Sequence, residues 1–169
     1  VVHGFPFAGA AGGALERMLR RGNLRREEFK IANVLFCQPV NSVGEPNKLR
    51  SEPYEFPAIA HCRPNLDGVI REMHPRVIVA LGDVAFRRLL PHSYRDIAEW
   101  VRRGRKRGGV LSNARGYVWW SETYQSWVIP AYHPAYVLRG KHDLEPVITH
   151  DLQRAVEVAR DGWTEREVR

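Results

Sequence analysis

The sequence has 169 residues, 44% of them hydrophobic and 27% charged, which is typical of one ordinary globular domain. No apolar run approaches the ~20 residues that span a bilayer, and the chain opens without the basic and apolar pattern of a signal peptide. These features argue against a membrane protein, and we expect a cytoplasmic one. The formal net charge is +7, so the sequence carries an excess of cationic side chains.

The densest basic run covers residues 102–107, which read RRGRKR. Each phosphate that such a run neutralises releases condensed counterions, so the run suits a nucleic acid, although a solvated loop would have the same composition. Arginine outnumbers lysine, and its planar guanidinium suits phosphate recognition. The candidate DNA-binding cations of this run are Arg102, Arg103, Arg105, Lys106 and Arg107.

In the first half of the chain, apolar spacing predicts two helices and two strands. A Gly/Ala-rich loop over residues 4–13 leads into a helix that Gly22 and Asn23 end. The run 31–36 has the length and composition of a buried strand. After an irregular loop over 38–56, helical spacing covers 59–73, with a break expected near Arg63 because Pro64 lacks a backbone donor. The uniformly apolar run 76–82 predicts a central parallel strand.

The second half continues the alternation of strands and helices. Asp83 is expected to cap a helix over 84–90, and a second helix follows over about 94–101. Two strands are predicted at 117–120 and 127–129, and a closing amphipathic helix at 144–159. We therefore expect one α/β domain over residues 1–161, a three-layer α/β/α fold with a mostly parallel sheet, followed by a charged tail over 162–169.

In such a sheet, ligands bind beyond the carboxyl ends of the strands. The loop after Phe36, the turn at Gly82 and Asp83, and the loop at His133 should therefore gather at one edge. The sequence thus places a candidate site there by topology alone.

Three stretches together resemble the iron–sulfur class of uracil-DNA glycosylases, often called family four. Residues 4–12 read GFPFAGAAG, similar to the family's G-x-P-F-V-G-x-A-G loop. Residues 31–37 read IANVLFC, like its T-N-V-x-K-C strand, and residues 129–139 read IPAYHPAYVLR, like its P-T-Y-H-P-S/A-x-x-L-R segment. The similarity covers nearly the whole chain in the same order, which makes the set more specific than any one motif.

The resemblance implies a role for each of these residues in extruding a nucleotide and binding its base. Phe7 would stack on the flipped base, beside Gly4 and Pro6, and Asn33 would read the edge of uracil through its amide. His133 would donate a hydrogen bond to uracil O2 as negative charge develops on the departing base. The same loop would contact DNA, with apolar side chains entering the base stack and a cation on a phosphate, through Pro134, Ala135, Val137, Leu138 and Arg139.

Cys37 and Cys62 are the two cysteines of the chain. The resemblance aligns them with two of the four thiolates that hold a [4Fe–4S] cluster in the family. The family's other two cysteines, and an acidic G-E-A-P-G-like loop that helps organise the attacking water, belong to a stretch that this sequence does not contain. We therefore expect the sequence to be part of a longer protein.

The resemblance implies a monomeric repair enzyme that hydrolyses uracil from DNA, in a bacterial, archaeal or phage-type setting. Two alternatives stay open. One is a non-cleaving nucleic-acid-binding module on the same fold within a larger replication or repair protein. The other is a glycosylase for another modified base, since a few pocket residues decide which base fits.

Overall fold

A computed structural model describes residues 6–37 and 55–162. In the first part, helix α1 spans Ala10–Arg21 and a single 3₁₀ turn spans Arg26–Glu28. The second part contains helices α2 (Glu55–Met73), α3 (Asp83–Leu89), α4 (Pro91–Arg102), α5 (Val110–Ala114), α6 (Ala135–Leu138) and α7 (Leu144–Asp161). Its strands are β1 (Val77–Leu81), β2 (Trp119–Ser121) and β3 (Ser126–Ala131).

The three described strands form one mixed sheet in the order β1-β3-β2. Strand β1 runs parallel to β3, from the pair Val77 and Trp127 to the pair Leu81 and Ala131. Strand β2 returns antiparallel to β3 through a short turn. Among the described strands β3 is therefore the central one, and the expectation that the 76–82 strand is central is wrong for this part of the chain.

Helices cover both faces of the sheet, as a three-layer fold requires. Successive side chains of a strand point to opposite faces, so Ala80 packs in a core with α2, α3, α4 and α5. Val79 and Leu81 instead pack against the core that α1, α6 and α7 build around Met18 and Ile148. The mixed α/β class and the layering predicted from the sequence are confirmed.

The strand predicted at 31–36 does not form. Ile31 packs toward the α1 core, while Ala32 and Val34 pack toward the opposite core, so the segment alternates as a strand would. Nevertheless, no described strand pairs with it, and without a ladder of hydrogen bonds an extended apolar segment is not a strand. Its apolar side chains pack between the two cores, and the segment does not belong to the sheet.

Two local expectations also fail. Helix α2 runs through Pro64 without ending, because Pro64 and Ala60 lie on the exposed side, where water can replace the lost hydrogen bond. Asp83 is the first residue of α3 rather than its cap, and its carboxylate accepts a 2.7 Å hydrogen bond from the hydroxyl of Tyr94 instead. That bond joins the first turns of α3 and α4.

The second helix after β1 is longer than expected, and a further short helix follows it. Helix α4 begins at Pro91 and continues to Arg102, so the basic run starts inside a helix. The short helix α5, which the sequence analysis missed, then packs Leu111 and Ala114 into the core. No helix in residues 6–37 and 55–162 is long and apolar enough to cross a membrane.

Candidate functional site

The carboxyl ends of β1 and β3 bring Gly82 and His133 together, as the topology predicts. The Gly82 N–H donates to the carbonyl of Ala131 over 2.8 Å, which carries the parallel pairing one residue past the strands. Gly82 has φ +90°, and a Cβ there would lie 3.1 Å from the Cβ of His133. A side chain at this position would therefore strain the turn and press on His133.

Hydrogen bonding fixes the proton on the His133 ring. The backbone N–H of Ala135 donates to Nδ1 over 3.1 Å, so Nδ1 is an acceptor and a neutral ring carries its proton on Nε2. Burial lowers the pKa of His133, and the positive charge of Arg139 lowers it further. The ring is therefore neutral near pH 7, with Nε2–H free to donate.

Phe7 lies against this imidazole. The two ring centroids are 5.3 Å apart and the planes differ by 22°, a stacked arrangement. Phe7 has φ 59°, an uncommon conformation for a residue with a side chain. The conformation lets its carbonyl approach α1 so closely that a Cβ on Gly12 would lie 1.6 Å from the Phe7 oxygen. The structure thus joins Phe7 and His133, and Gly12 is what makes room for the loop.

The structure gives less information on the other residues that were predicted to contact the base. Pro6 is half-buried beside Phe7, whereas Gly4 lies outside the described residues. Asn33 is exposed, in the extended segment before Cys37. Reading of the base edge by Asn33 stays a prediction.

The loop after His133 divides into buried and exposed residues. Pro134 is buried, and Val137 is fully buried in the core under α1. Leu138 is 46% exposed. Ala135, the first residue of the short helix α6, is half-buried, and Arg139, which follows the helix, is exposed. Of the two residues predicted to enter the base stack, Val137 would have to leave the core to do so, whereas Leu138 is exposed. The wedge role of Leu138 stays a prediction.

Glu99 binds the beginning of the basic run. Its carboxylate accepts hydrogen bonds from Arg102 over 2.6 and 2.7 Å and from Arg103 over 2.5 Å. These bonds lower the pKa of Glu99 and raise that of Arg102. The rest of the run, Arg105, Lys106 and Arg107, is exposed. One carboxylate therefore already faces two of the five cations of the basic run that were predicted to bind DNA.

The two cysteines converge although they lie far apart in the sequence. Their Sγ atoms are 3.6 Å apart, and both are free thiols. Burial opposes ionisation of Cys62, but backbone hydrogen bonds from Phe36 and Cys37 hold its pKa below the ordinary value. The hydrogen bond to Cys62 raises the pKa of Cys37.

These thiols fit one side of an iron–sulfur centre, whose ligands are thiolates. In the part of the chain that the structure describes, no group of three or more His, Cys, Asp or Glu side chains could hold a metal. The described residues therefore offer two thiols where the prediction requires four ligands.

Sequence reasoning missed a buried ion pair behind the site. Arg115 donates through Nε to Asp151 over 2.9 Å, and its guanidinium carbon lies 4.4 Å from the ring centroid of Tyr132, the residue before His133. The available signal was Asp151 itself, a carboxylate on the apolar face of α7 next to Leu152. A buried carboxylate requires a partner, but its position in the sequence does not say which cation that is.

Comparison with known proteins places the chain in one family. The model of the uracil DNA glycosylase superfamily matches residues 1–156. A type-4 uracil-DNA glycosylase from Thermotoga maritima is 32% identical over 153 residues, which cover 90% of this chain and 67% of that protein. Type-4 uracil-DNA glycosylases from Sulfurisphaera tokodaii and Archaeoglobus fulgidus are 31% and 36% identical, over 92% and 80% of this chain.

The chain spans 67, 63 and 59% of the lengths of these three relatives. The matched residues 1–156 include the Phe7 loop, the Cys37 and Cys62 pair and the His133 loop. This chain belongs to the uracil DNA glycosylase superfamily.

Proposed function

We propose that the protein removes uracil from DNA by hydrolysing the bond between N1 of the base and C1′ of the deoxyribose, which leaves an abasic site. The observation that carries the proposal is the state of His133. Its Nδ1 is occupied by the Ala135 N–H, its pKa is lowered by burial, and its ring is stacked on Phe7. A neutral Nε2–H donor therefore lies next to an aromatic face on which a flat base can stack.

The chemistry of base release explains why a neutral donor is sufficient. As the glycosidic bond breaks, its electron pair goes to the base, and negative charge develops on uracil O2. A preorganised donor stabilises such charge as it develops, and losing one donor of this kind costs about 10²–10³-fold in rate. Because the Ala135 N–H fixes the proton on Nε2, His133 needs no reorientation at the moment of reaction.

The other site residues bind and position the nucleotide. Phe7 stacks on the base, and Asn33 offers an amide donor and acceptor to its edge. Leu138 enters the gap left in the base stack, and Arg139 contacts a flanking phosphate. Pro134 and Ala135 line the same contact, and Arg105, Lys106 and Arg107 extend the basic surface. We assign no water-activating carboxylate among the described residues; what they provide is base binding and leaving-group stabilisation.

A [4Fe–4S] cluster fits the two converging thiols as part of this proposal. Cys37 and Cys62 would be two of its ligands, and the cluster would join the 31–37 segment to α2. Since Asn33 lies on that segment, the cluster would steady the residue that reads the base. We further propose that the protein acts as a monomer in the cytoplasm.

A panel of damaged duplexes tests the function. Duplexes that differ only in one base, uracil, hypoxanthine, a modified pyrimidine or thymine, are incubated with the protein, and alkali then cleaves any abasic site. We expect cleavage of the uracil strand, with little at thymine, and a loss of about 100-fold or more in Asn33→Ala. Release of another base in preference to uracil would overturn the substrate. Salt-sensitive DNA binding without any abasic product would identify a non-cleaving module instead.

A further inference from the structure

A row of charged and aromatic side chains packs against the two ends of the His133 loop. Arg115 binds Asp151 through Nε and a terminal nitrogen, over 2.9 and 2.8 Å. On its other side, the Arg115 guanidinium covers the ring of Tyr132 at 4.4 Å. The Tyr132 ring meets the Tyr136 ring edge-on, with centroids 6.1 Å apart. We call Arg115, Tyr132 and Tyr136 the stack, and Asp151 its anchor.

The two tyrosines of the stack lie at the two ends of one turn of the chain. Tyr132 and Tyr136 are the first and last residues of a segment whose backbone closes through the Tyr136 N–H, which donates to the His133 carbonyl over 2.9 Å. The same segment contains the bond from the Ala135 N–H to Nδ1 of His133. The two tyrosine rings therefore hold together the ends of the turn that determines which His133 nitrogen carries the proton.

The anchor makes this arrangement rigid. The Asp151 side chain is 6% exposed and that of Arg115 is 17% exposed, so water competes little for either charge. Burial raises the pKa of Asp151, while Arg115 acts in the opposite direction. Asp151 belongs to α7, and Arg115 is the C-terminal cap residue of α5. Two separate helices thus fix the plane of the guanidinium, and the guanidinium in turn fixes the Tyr132 ring.

A lysine could not replace Arg115 in both contacts. A guanidinium is flat, so it can offer N–H groups to a carboxylate in its plane and its face to an aromatic ring. An ammonium group is a compact point charge that can keep the ion pair but presents no flat surface to the ring. Arg115→Lys therefore separates the ion pair from the stack.

We propose that Arg115 is a positioning residue for base excision, which acts through Tyr132 to hold the His133 turn in the form that keeps the proton on Nε2. The inference rests on the proposed function for its catalytic consequence. Arg115 touches neither the base nor the reacting atoms. Its effect reaches the site through the Tyr132–Tyr136 contact and the Ala135 hydrogen bond.

The test combines nitrogen NMR of the histidine rings with excision kinetics. Protein labelled with ¹⁵N-histidine is compared with Arg115→Lys, Tyr132→Leu, Tyr136→Leu and Tyr132→Phe, and the His133 signals are assigned by their loss in His133→Ala. Arg95→Lys is the matched control, since Arg95 is an exposed arginine of α4 that contacts His92. Single-turnover release of uracil from a duplex is measured on the same samples.

We expect Arg115→Lys and both leucine variants to move the His133 nitrogen shifts toward a mixture of protonated Nδ1 and Nε2, and to slow uracil release about 10- to 100-fold. Tyr132→Phe, which keeps the ring, and Arg95→Lys should match the wild type in both. Unchanged His133 shifts in folded Arg115→Lys and Tyr132→Leu would overturn the proposal, even if those variants were less stable. If the wild type releases no uracil, the proposed function fails, and the nitrogen shifts still decide the role of Arg115.

Discussion

Two adjacent glycines of α1 provide a matched test of the Phe7 loop. A Cβ on Gly12 would lie 1.6 Å from the carbonyl oxygen of Phe7, whereas a Cβ on Gly13 would meet nothing within 4 Å. Both glycines lie in the same helix. Gly13→Ala should therefore stabilise the protein by about 0.5–1 kcal/mol, the ordinary gain of alanine over glycine in a helix.

Gly12→Ala favours the helix to the same extent, but the new Cβ forces the Phe7 carbonyl oxygen outward, from 1.6 Å to at least about 3.0 Å from that Cβ. Overpacking of this kind typically costs about 1–3 kcal/mol, so we expect a net loss of about 1–2 kcal/mol in the free energy of unfolding. A displacement of Phe7 by more than about 1 Å should also slow uracil release about 100-fold.

Urea unfolding followed by tryptophan fluorescence measures the stability of both variants, and single-turnover release of uracil measures their activity. The release rates are compared at a urea-free condition where each variant is fully folded. If Gly12→Ala is as stable and as active as Gly13→Ala, the close approach of the Phe7 loop to α1 is not a feature of the active protein.

Three further predictions concern pH, the wedge and the basic run. Burial lowers the pKa of His133 below its ordinary value of 6.5, so below that pH the unfolded chain binds a proton that the folded chain does not, and the stability of the wild type falls. The difference in unfolding free energy between wild type and His133→Gln should therefore shrink from pH 7.5 to pH 5.5. A constant difference would contradict the assignment. Leu138→Ala should slow uracil release from duplex DNA more than from single-stranded DNA, and an equal loss of rate on both substrates would exclude a wedge. Val137→Ala should instead lower the free energy of unfolding, measured in denaturant, by about 0.5–2 kcal/mol. Glu99→Gln should release Arg102 for phosphate binding, so the slope of log DNA-binding constant against log salt concentration should become steeper by up to about 1. An unchanged slope in filter binding would show that the basic run does not bind DNA.

The sequence predicts best those elements whose signal is local and repeated. Helix α7 follows from apolar spacing around Ile148 and Leu152, and β1 from a short run without polar residues. Parallel strands place their carboxyl ends at one edge, so the meeting of Gly82 with His133 could be predicted without any contact being known. The prediction that Phe7 and His133 belong to one pocket required more, namely the resemblance of the two loops to one family, and the direct stacking of the two rings was not predicted.

What the sequence could not supply depends on partners distant along the chain. The 31–36 segment has a strand's composition, but a strand also needs a neighbour to bond with, and composition does not name one. Asp83 had the residue type of a helix cap, yet the Tyr94 hydroxyl competes for its carboxylate. The pairing of Arg115 with Asp151 joins residues 36 positions apart, and several other arginines could have satisfied that carboxylate equally well on sequence grounds.

The central claim is that a neutral His133 stabilises the departing base. Its most direct measurement is single-turnover release of uracil from one duplex by the wild type and by His133→Ala, with DNA affinity measured in parallel. We predict a loss of about 100-fold or more in the rate of release while the affinity for the duplex is largely kept. Release by His133→Ala at the wild-type rate would contradict the account.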